Sequence, residues 1–114
     1  MKKKDIKSEN YLERIPMLRS DISYKEDDGV ITLEIQNKGF VNRIFQKLFF
    51  KPAVSYIHLD KLGSFCVKTA DGVRDIVAIG ELVSAEFGDD AEPLYERLAK
   101  FFQIMDSYGF LEWK

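Results

Sequence analysis

The chain has one cysteine, one histidine and three prolines in 114 residues. A lone cysteine excludes an internal disulfide, and one histidine beside it cannot complete the usual four-ligand zinc site. Neither sign of charge dominates: 17 basic residues stand against 19 acidic ones, for a net charge of −2. That balance argues against a protein whose affinity comes from neutralising phosphates. No apolar run approaches the roughly 20 residues that a membrane-spanning helix requires. The opening MKKKDIKSEN is basic, but no hydrophobic stretch follows it, so it does not read as a secretion signal. Also missing are a glycine-rich phosphate loop, a carboxylate pair at catalytic spacing and any metal-ligand spacing, so an enzyme is not expected and no cofactor is called for. These absences describe a non-catalytic protein of a reducing, cytoplasmic compartment.

What is present is a core. Hydrophobic residues make up 46% of the chain, with nine Phe and five Tyr among them. That is the composition of a globular domain, and the length suits one core, not two. Residues 1–10 are charged and aperiodic and read as a flexible arm, leaving 11–114 as a single domain. Tyr11, Leu12 and Ile15-Pro16-Met17, the first sizeable apolar cluster, are expected to dock on it.

The first half alternates in the manner of strands. Leu18 to Tyr24 is expected to form a first strand and Lys25 to Gly29 a polar turn, ending in the Asp-Gly pair that favours hairpins. Val30 to Ile35 forms a second, half-buried strand, with Thr32 and Glu34 facing away from Ile31, Leu33 and Ile35. From Gly39 to Phe50 the period changes. Phe40, Val41, Ile44, Phe45, Leu48 and Phe49 lie on one helical face opposite Arg43, Gln46 and Lys47, until Pro52 stops the pattern. This extra amphipathic helix is expected to pack over one end of the sheet, with a membrane or partner surface as the other reading. Ala53 to Leu59 is a third strand. His58 within it has no Ser, Cys or carboxylate that the sequence would pair with it, so a structural or surface role is expected.

The stretch Leu59 to Gly72, LDKLGSFCVKTADG, joins the strands to the helices. Asp60 is placed to cap a helix from Lys61 to about Lys68, on which Leu62, Phe65 and Cys66 share a face. Asp71-Gly72 marks a turn. Asp75 is an N-cap for a second helix with the stripe Ile76, Ile79, Val83 and Phe87, closed by Gly88. After the acidic link 89–92, a third helix runs from Pro93 to about Tyr108. Leu94, Leu98, Phe102 and Met105 form its inner row, and Phe101, Ile104 and Tyr108 a second apolar row beside it. Gly109 ends it, and residues 110–113 form a short extended tail.

Strands followed by helices give a segregated α+β domain: a three-stranded antiparallel sheet, then three helices, the content of a winged helix-turn-helix module. If the edge of the third strand is uncovered, it offers a row of free N–H and C=O groups, and beside an apolar helix face such an edge suits the capture of an extended peptide by strand addition. The pattern HLDKLGSFCVKTADGVRDI, followed by a helix closing in FFQIMDSYGFL, resembles the PqqD family. The matching positions are Leu59, Asp60, Gly63, Asp71, Gly72, Ile79, Leu98, Phe102, Met105, Gly109 and Phe110, in order, over residues 18–113. Cys66 departs from the family pattern, standing where a tryptophan is common, and the segment 39–50 lengthens the link before the third strand. The resemblance implies a peptide chaperone, or RiPP recognition element. It would bind the leader of a ribosomally made precursor peptide and present it to a modifying enzyme, often a radical SAM enzyme. Carried onto this chain, the backbone of Val54, Ser55, Tyr56, Ile57 and His58 pairs with the leader, and Arg97, Phe101, Ile104 and Tyr108 supply pockets and a charge.

Three other readings stay open on sequence alone. A winged-helix transcriptional regulator would need basic and amide side chains on a recognition helix, whereas Glu81, Glu86, Glu96 and Asp106 offset Arg97 and Lys100. A small enzyme lacks a polar constellation. A homodimer pairing its open edge with itself would compete with peptide.

Overall fold

The turn at Asp28-Gly29 sets the geometry of the main sheet. Both residues take positive φ, 55° and 80°, and two such residues in succession make the mirror-image turn whose twist matches an antiparallel hairpin. In the computed structural model, which describes residues 11–36 and 54–114, the flanking strands are β2, Ser23–Asp27, and β3, Val30–Gln36, with Asp27 opposite Val30. Asp28 tolerates the left-handed conformation better than most residues because its side chain is short and polar, and Gly29 because it has no Cβ. Ile31 and Leu33 are fully buried, while β2 is exposed along its whole length. β4, Val54–His58, pairs antiparallel with the other side of β3 in the order β2-β3-β4.

One expectation changes here. The first strand was expected over Leu18 to Tyr24, with Lys25 to Asp27 in the turn. The two-residue turn instead draws Lys25, Glu26 and Asp27 into the ladder opposite Thr32, Ile31 and Val30. Leu18 belongs to a separate short strand, β1 (Pro16–Leu18), which pairs antiparallel with β5 (Leu111–Trp113). The expected tail is therefore a strand. Pro16 opens β1, a position that tolerates a missing N–H, and is fully buried.

By its internal contacts the chain divides into two compact units: Ser20–Lys61, which holds the three-stranded sheet, and Met1–Arg19 together with Leu62–Lys114. In the second unit, backbone bonds from Arg19 N to the Phe110 carbonyl and from Lys114 N to the Ile15 carbonyl, both 2.8 Å, extend the β1–β5 pairing at its two ends. On the other side of β1, Met17 bridges Asp71 and Gly72 N donates to the Pro16 carbonyl at 3.2 Å. The Asp71 turn is self-braced. Its Oδ1 accepts from Val73 N and Arg74 N, its Oδ2 pairs with Arg74 at 2.8 Å, and the donated bonds hold its carboxyl below the usual carboxylate range.

Three helices follow: α1 (Lys61–Thr69), α2 (Ile76–Phe87) and α3 (Leu94–Ser107), with a single 3-10 turn at Gly88–Ala91 in the acidic link. Asp75 caps α2 as expected, its Oδ1 accepting from Ala78 N at 2.8 Å. Ile76, Ile79 and Val83 of α2 and Leu98, Phe102 and Met105 of α3 are buried, and Phe65 of α1 meets Phe87 edge-on at 5.6 Å. Cys66 is fully buried, in keeping with a small apolar packing residue. The expected helix over 39–50 and the arm 1–10 lie outside the described residues.

Two contacts in this unit give measurable consequences. A Cβ on Gly80 would fall on the Tyr95 ring, with Cζ and the hydroxyl oxygen both at 2.8 Å, and that hydroxyl donates to the Val77 carbonyl at 3.2 Å. Gly80→Ala should therefore destabilise by about 1–3 kcal/mol, despite alanine's better helix propensity. In a Tyr95→Ala background the same change should instead stabilise by about 0.5–1 kcal/mol. Urea-unfolding midpoints of the four proteins check both signs.

The second contact is a ring cluster at the chain ends. Tyr11 meets Trp113 edge-on at 5.5 Å, Arg14 lies 4.0 Å over the Trp113 ring, and Trp113 Nε1 donates to Asp106. The Tyr11 hydroxyl is buried with no hydrogen-bond partner among the described residues. Burial and the nearby Asp106 carboxylate push its pKa from 10.0 up to about 12, against a smaller opposing pull from Arg14. A phenol whose pKa is raised by folding contributes stability that is complete below the unfolded value and lost as pH rises through the folded one. Thermal stability should fall between pH 10 and pH 12, and Tyr11→Phe should flatten part of that fall, as read from melting temperature against pH.

Candidate functional site

The alternation of hydrogen bonds across β3 decides which groups of β4 remain available. In an antiparallel ladder, directly opposed residues alternate between pairs that exchange both backbone bonds and pairs that exchange none. The register sets Thr32 against His58, so Ile31 faces Leu59, and the bond from Leu59 N to the Ile31 carbonyl, 2.9 Å, marks that pair as bonded. The bonded pairs are then Ile31–Leu59, Leu33–Ile57 and Ile35–Ser55. Val54, Tyr56 and His58 point their N–H and C=O groups the other way, and among the described residues no strand pairs with that side. The β2 side is independent and consistent. A two-residue turn makes Asp27–Val30 a bonded pair, so Thr32 and Glu34 bond to β2 while Ile31, Leu33 and Ile35 bond to β4.

The two edges of the sheet differ in chemistry. β2 reads SYKED, with three consecutive charged residues, the composition that blunts an edge against strand pairing. β4 reads VSYIH and carries no Lys, Arg, Asp, Glu or Pro. Among the described residues β4 is thus the edge with neither a second strand neighbour nor charges to guard it.

Side chains on the two faces of β4 also differ. Ser55 and Ile57 share the face of Ile31, Leu33 and Ile35, whereas Val54, Tyr56 and His58 share that of Thr32 and Glu34. On this second face Ser23 Oγ donates to Glu34 Oε1 at 3.1 Å, and Lys25 Nζ lies 3.7 Å from Glu34 Oε2. His58 Nδ1 lies 2.8 Å from Thr32 Oγ1. Tyr56 is 62% exposed. The histidine that the sequence left without a partner has one across the strand.

In the other unit, the second apolar row of α3 is exposed where the inner row is not. Ile104 is 48% and Tyr108 67% exposed, while Phe101 is half-buried against Phe102, edge-on at 5.2 Å. Tyr108 stands at the C-cap, just past the helix, its ring stacked on Phe110 at 5.5 Å. Arg97, the charge expected to face a peptide, has its guanidinium donating to the Asp90 carbonyl at 2.7 Å. The structure thus gathers Val54, Ser55, Tyr56, Ile57 and His58 on one strand, and Phe101, Ile104 and Tyr108 along one helical row.

Among the described residues no group of His, Cys, Asp and Glu could hold a metal ion, and no helix is long and apolar enough to cross a membrane. The family model of Coenzyme PQQ synthesis protein D (PqqD) matches residues 50–111, more than half of the chain. The chain belongs to the PqqD family. PqqD proteins are non-catalytic accessory proteins, and membership suggests a peptide-binding accessory role in precursor-peptide modification. No curated protein matches the chain significantly. No solved structure does so either. The PqqD match begins just before β4 and ends in β5, so it takes in the open strand, all three helices and the turn at Asp71.

The hydrogen-bond phase has a direct readout. The amides of Tyr56 and His58 should exchange with solvent roughly tenfold or more faster than those of Ile57 and Leu59, since only the latter are bonded to β3. Hydrogen–deuterium exchange followed by NMR measures this residue by residue, and uniform protection along β4 would contradict the assigned phase.

Proposed function

We propose that this protein is a peptide chaperone that captures the leader of a ribosomally made precursor peptide as a further strand on β4. It then presents the rest of the precursor to a modifying enzyme, of the radical SAM type in the family reading. The observation that carries this is the contrast between the sheet edges: β2 is guarded by charge, whereas β4 is uncharged and turns the backbone groups of Val54, Tyr56 and His58 outward. Strand addition draws affinity from main-chain hydrogen bonds and specificity from alternate side chains. Each outward residue offers one donor and one acceptor, and together they span the length of a short bound strand. Membership of the PqqD family supports peptide as the partner.

The exposed row Phe101, Ile104 and Tyr108 of α3 supplies apolar contacts for leader side chains in this reading. The backbone carbonyl that Arg97 now holds is a neutral partner, which a leader carboxylate would replace with a stronger charge-assisted bond. Strands leading into helices correspond to a winged helix-turn-helix module put to use on peptide instead of DNA, working in the cytoplasm beside the modifying enzyme.

A substitution at one backbone atom tests the proposal. Tyr56 N faces away from β3, so Tyr56→Pro deletes an outward donor and leaves the β3 ladder intact, a position where edge strands tolerate proline. Leader peptides encoded beside the gene should shift the amide resonances of residues 54–58 and of residues 97–108 in the unmodified protein. Tyr56→Pro should weaken that binding by roughly tenfold while leaving the spectrum folded. Full-strength binding by Tyr56→Pro would remove strand addition on β4, and salt-dependent binding of duplex DNA with silence toward every leader would replace the chaperone with a regulator.

A further inference from the structure

His58 stands at the open edge with its ring orientation already set. Thr32 lies directly across the β3–β4 pair, and its hydroxyl meets His58 Nδ1 at 2.8 Å. With Nδ1 turned back toward β3, Nε2 is presented away from it, on the side that an added strand would occupy. Thr32 and His58 can share this bond in either direction. In the tautomer where the hydroxyl donates to Nδ1 the proton sits on Nε2, which then acts as a hydrogen-bond donor, and it is this tautomer that selectivity toward an added strand requires. Among the described residues no side chain is hydrogen-bonded to Nε2, and Glu34, a carboxylate on the same face of β3, is already engaged: it takes Ser23 on one oxygen and Lys25 on the other. The row across the sheet is Lys25, Thr32, His58, with no acidic member.

We infer that His58 is a specificity-determining residue for the added strand and selects a segment carrying an acidic side chain directly opposite it. This inference rests on the strand-addition reading and names the ligand more narrowly. His58 turns its backbone groups outward, so the residue opposite belongs to a bonded pair and projects its side chain onto the same face, within reach of Nε2. A carboxylate there accepts a short N–H···O bond from Nε2. The neighbouring bonded position, opposite Tyr56, faces an exposed aromatic ring and suits an aromatic or β-branched residue. Between them, the peptide residue opposite Ile57 lies on the apolar face. The preferred ligand is therefore an extended segment with an acidic residue, an apolar residue and an aromatic or β-branched residue in succession. Thr32 is a positioning residue that acts through His58.

The test is a selection from a displayed library of random short peptides on the full-length protein, repeated with His58→Leu, His58→Gln and Thr32→Val. The unmodified protein should enrich peptides with Asp or Glu at one fixed position of an alternating pattern. A synthetic winner should lose roughly five- to tenfold in affinity when that acid becomes leucine. With His58→Leu the acidic preference should vanish while the alternating pattern persists. His58→Gln, which keeps a donor, should retain part of the preference, and Thr32→Val should weaken it without changing affinity for the leucine peptide. Enriched strands with no acidic preference, or a preference that survives His58→Leu in a protein whose amide spectrum is unchanged, would overturn the role of His58 and leave strand addition standing. No enrichment of extended peptides at all would overturn strand addition itself, and the selectivity with it.

Discussion

The alternating hydrogen bonds of β3 are the constraint on which the candidate site depends. A central strand has one set of backbone groups for each neighbour. Once Asp28-Gly29 commits Val30, Thr32 and Glu34 to β2, only Ile31, Leu33 and Ile35 remain for β4. Their partners Leu59, Ile57 and Ser55 are thereby used, and Val54, Tyr56 and His58 are left facing outward. A turn of two residues at one end of the sheet thus selects which atoms are offered at the far edge. The same alternation assigns the side chains, and a slip of one residue would exchange the two faces. The burial of Ile31 and Leu33 opposes such a slip, because it would expose both and bury Thr32 and Glu34.

The unit formed by the two ends of the chain relies on a different device. β1 lies between β5 and the Asp71 turn, so one three-residue strand ties residues 16–18 to both 71–72 and 111–113. Residues three deep give little hydrogen bonding, and the surrounding groups reinforce it: buried Pro16, the bond from Arg19 to the Gly109 carbonyl, and the Arg14 guanidinium over Trp113. The buried inner rows of α2 and α3 and the contact of Tyr95 with Gly80 complete its packing. Tyr108, although exposed, is stacked on the buried Phe110, so a change there also touches this packing.

Much of the fold was legible because its signals are local. The Asp75 cap, the buried residues Ile76, Ile79 and Val83 and the inner row of α3 each rest on spacings within a few residues and took their expected form, while the Asp-Gly pair made a hairpin turn shorter than the expected one. The ordered motifs from Leu59 to Phe110 carried the family resemblance for the same reason, since they are turns, caps and packing positions with set separations. The reading of Leu18 to Tyr24 as one strand differed from the structure because apolar content alone cannot say which partner a strand takes. Leu18 finds its partner in Leu111, near the other end of the chain.

By itself, the sequence determined the central hairpin, the three helices, the buried inner rows of α2 and α3 and the family to which the chain belongs. These follow from local propensity and from period, which neighbouring residues define among themselves. On α1 the sequence marked Leu62 and Phe65 beside Cys66, whereas Gly63, Ser64 and Val67 are the residues buried with it. Only the tertiary structure decided the register of β4 on β3, and with it the outward groups of Val54, Tyr56 and His58, the pairing of His58 with Thr32, and the hold of Asp90 on Arg97. The physical reason is separation along the chain. A long link lies between β3 and β4, and no local preference transmits a one-residue phase across it, so the register is set where the buried faces and the backbone bonds of the two strands meet.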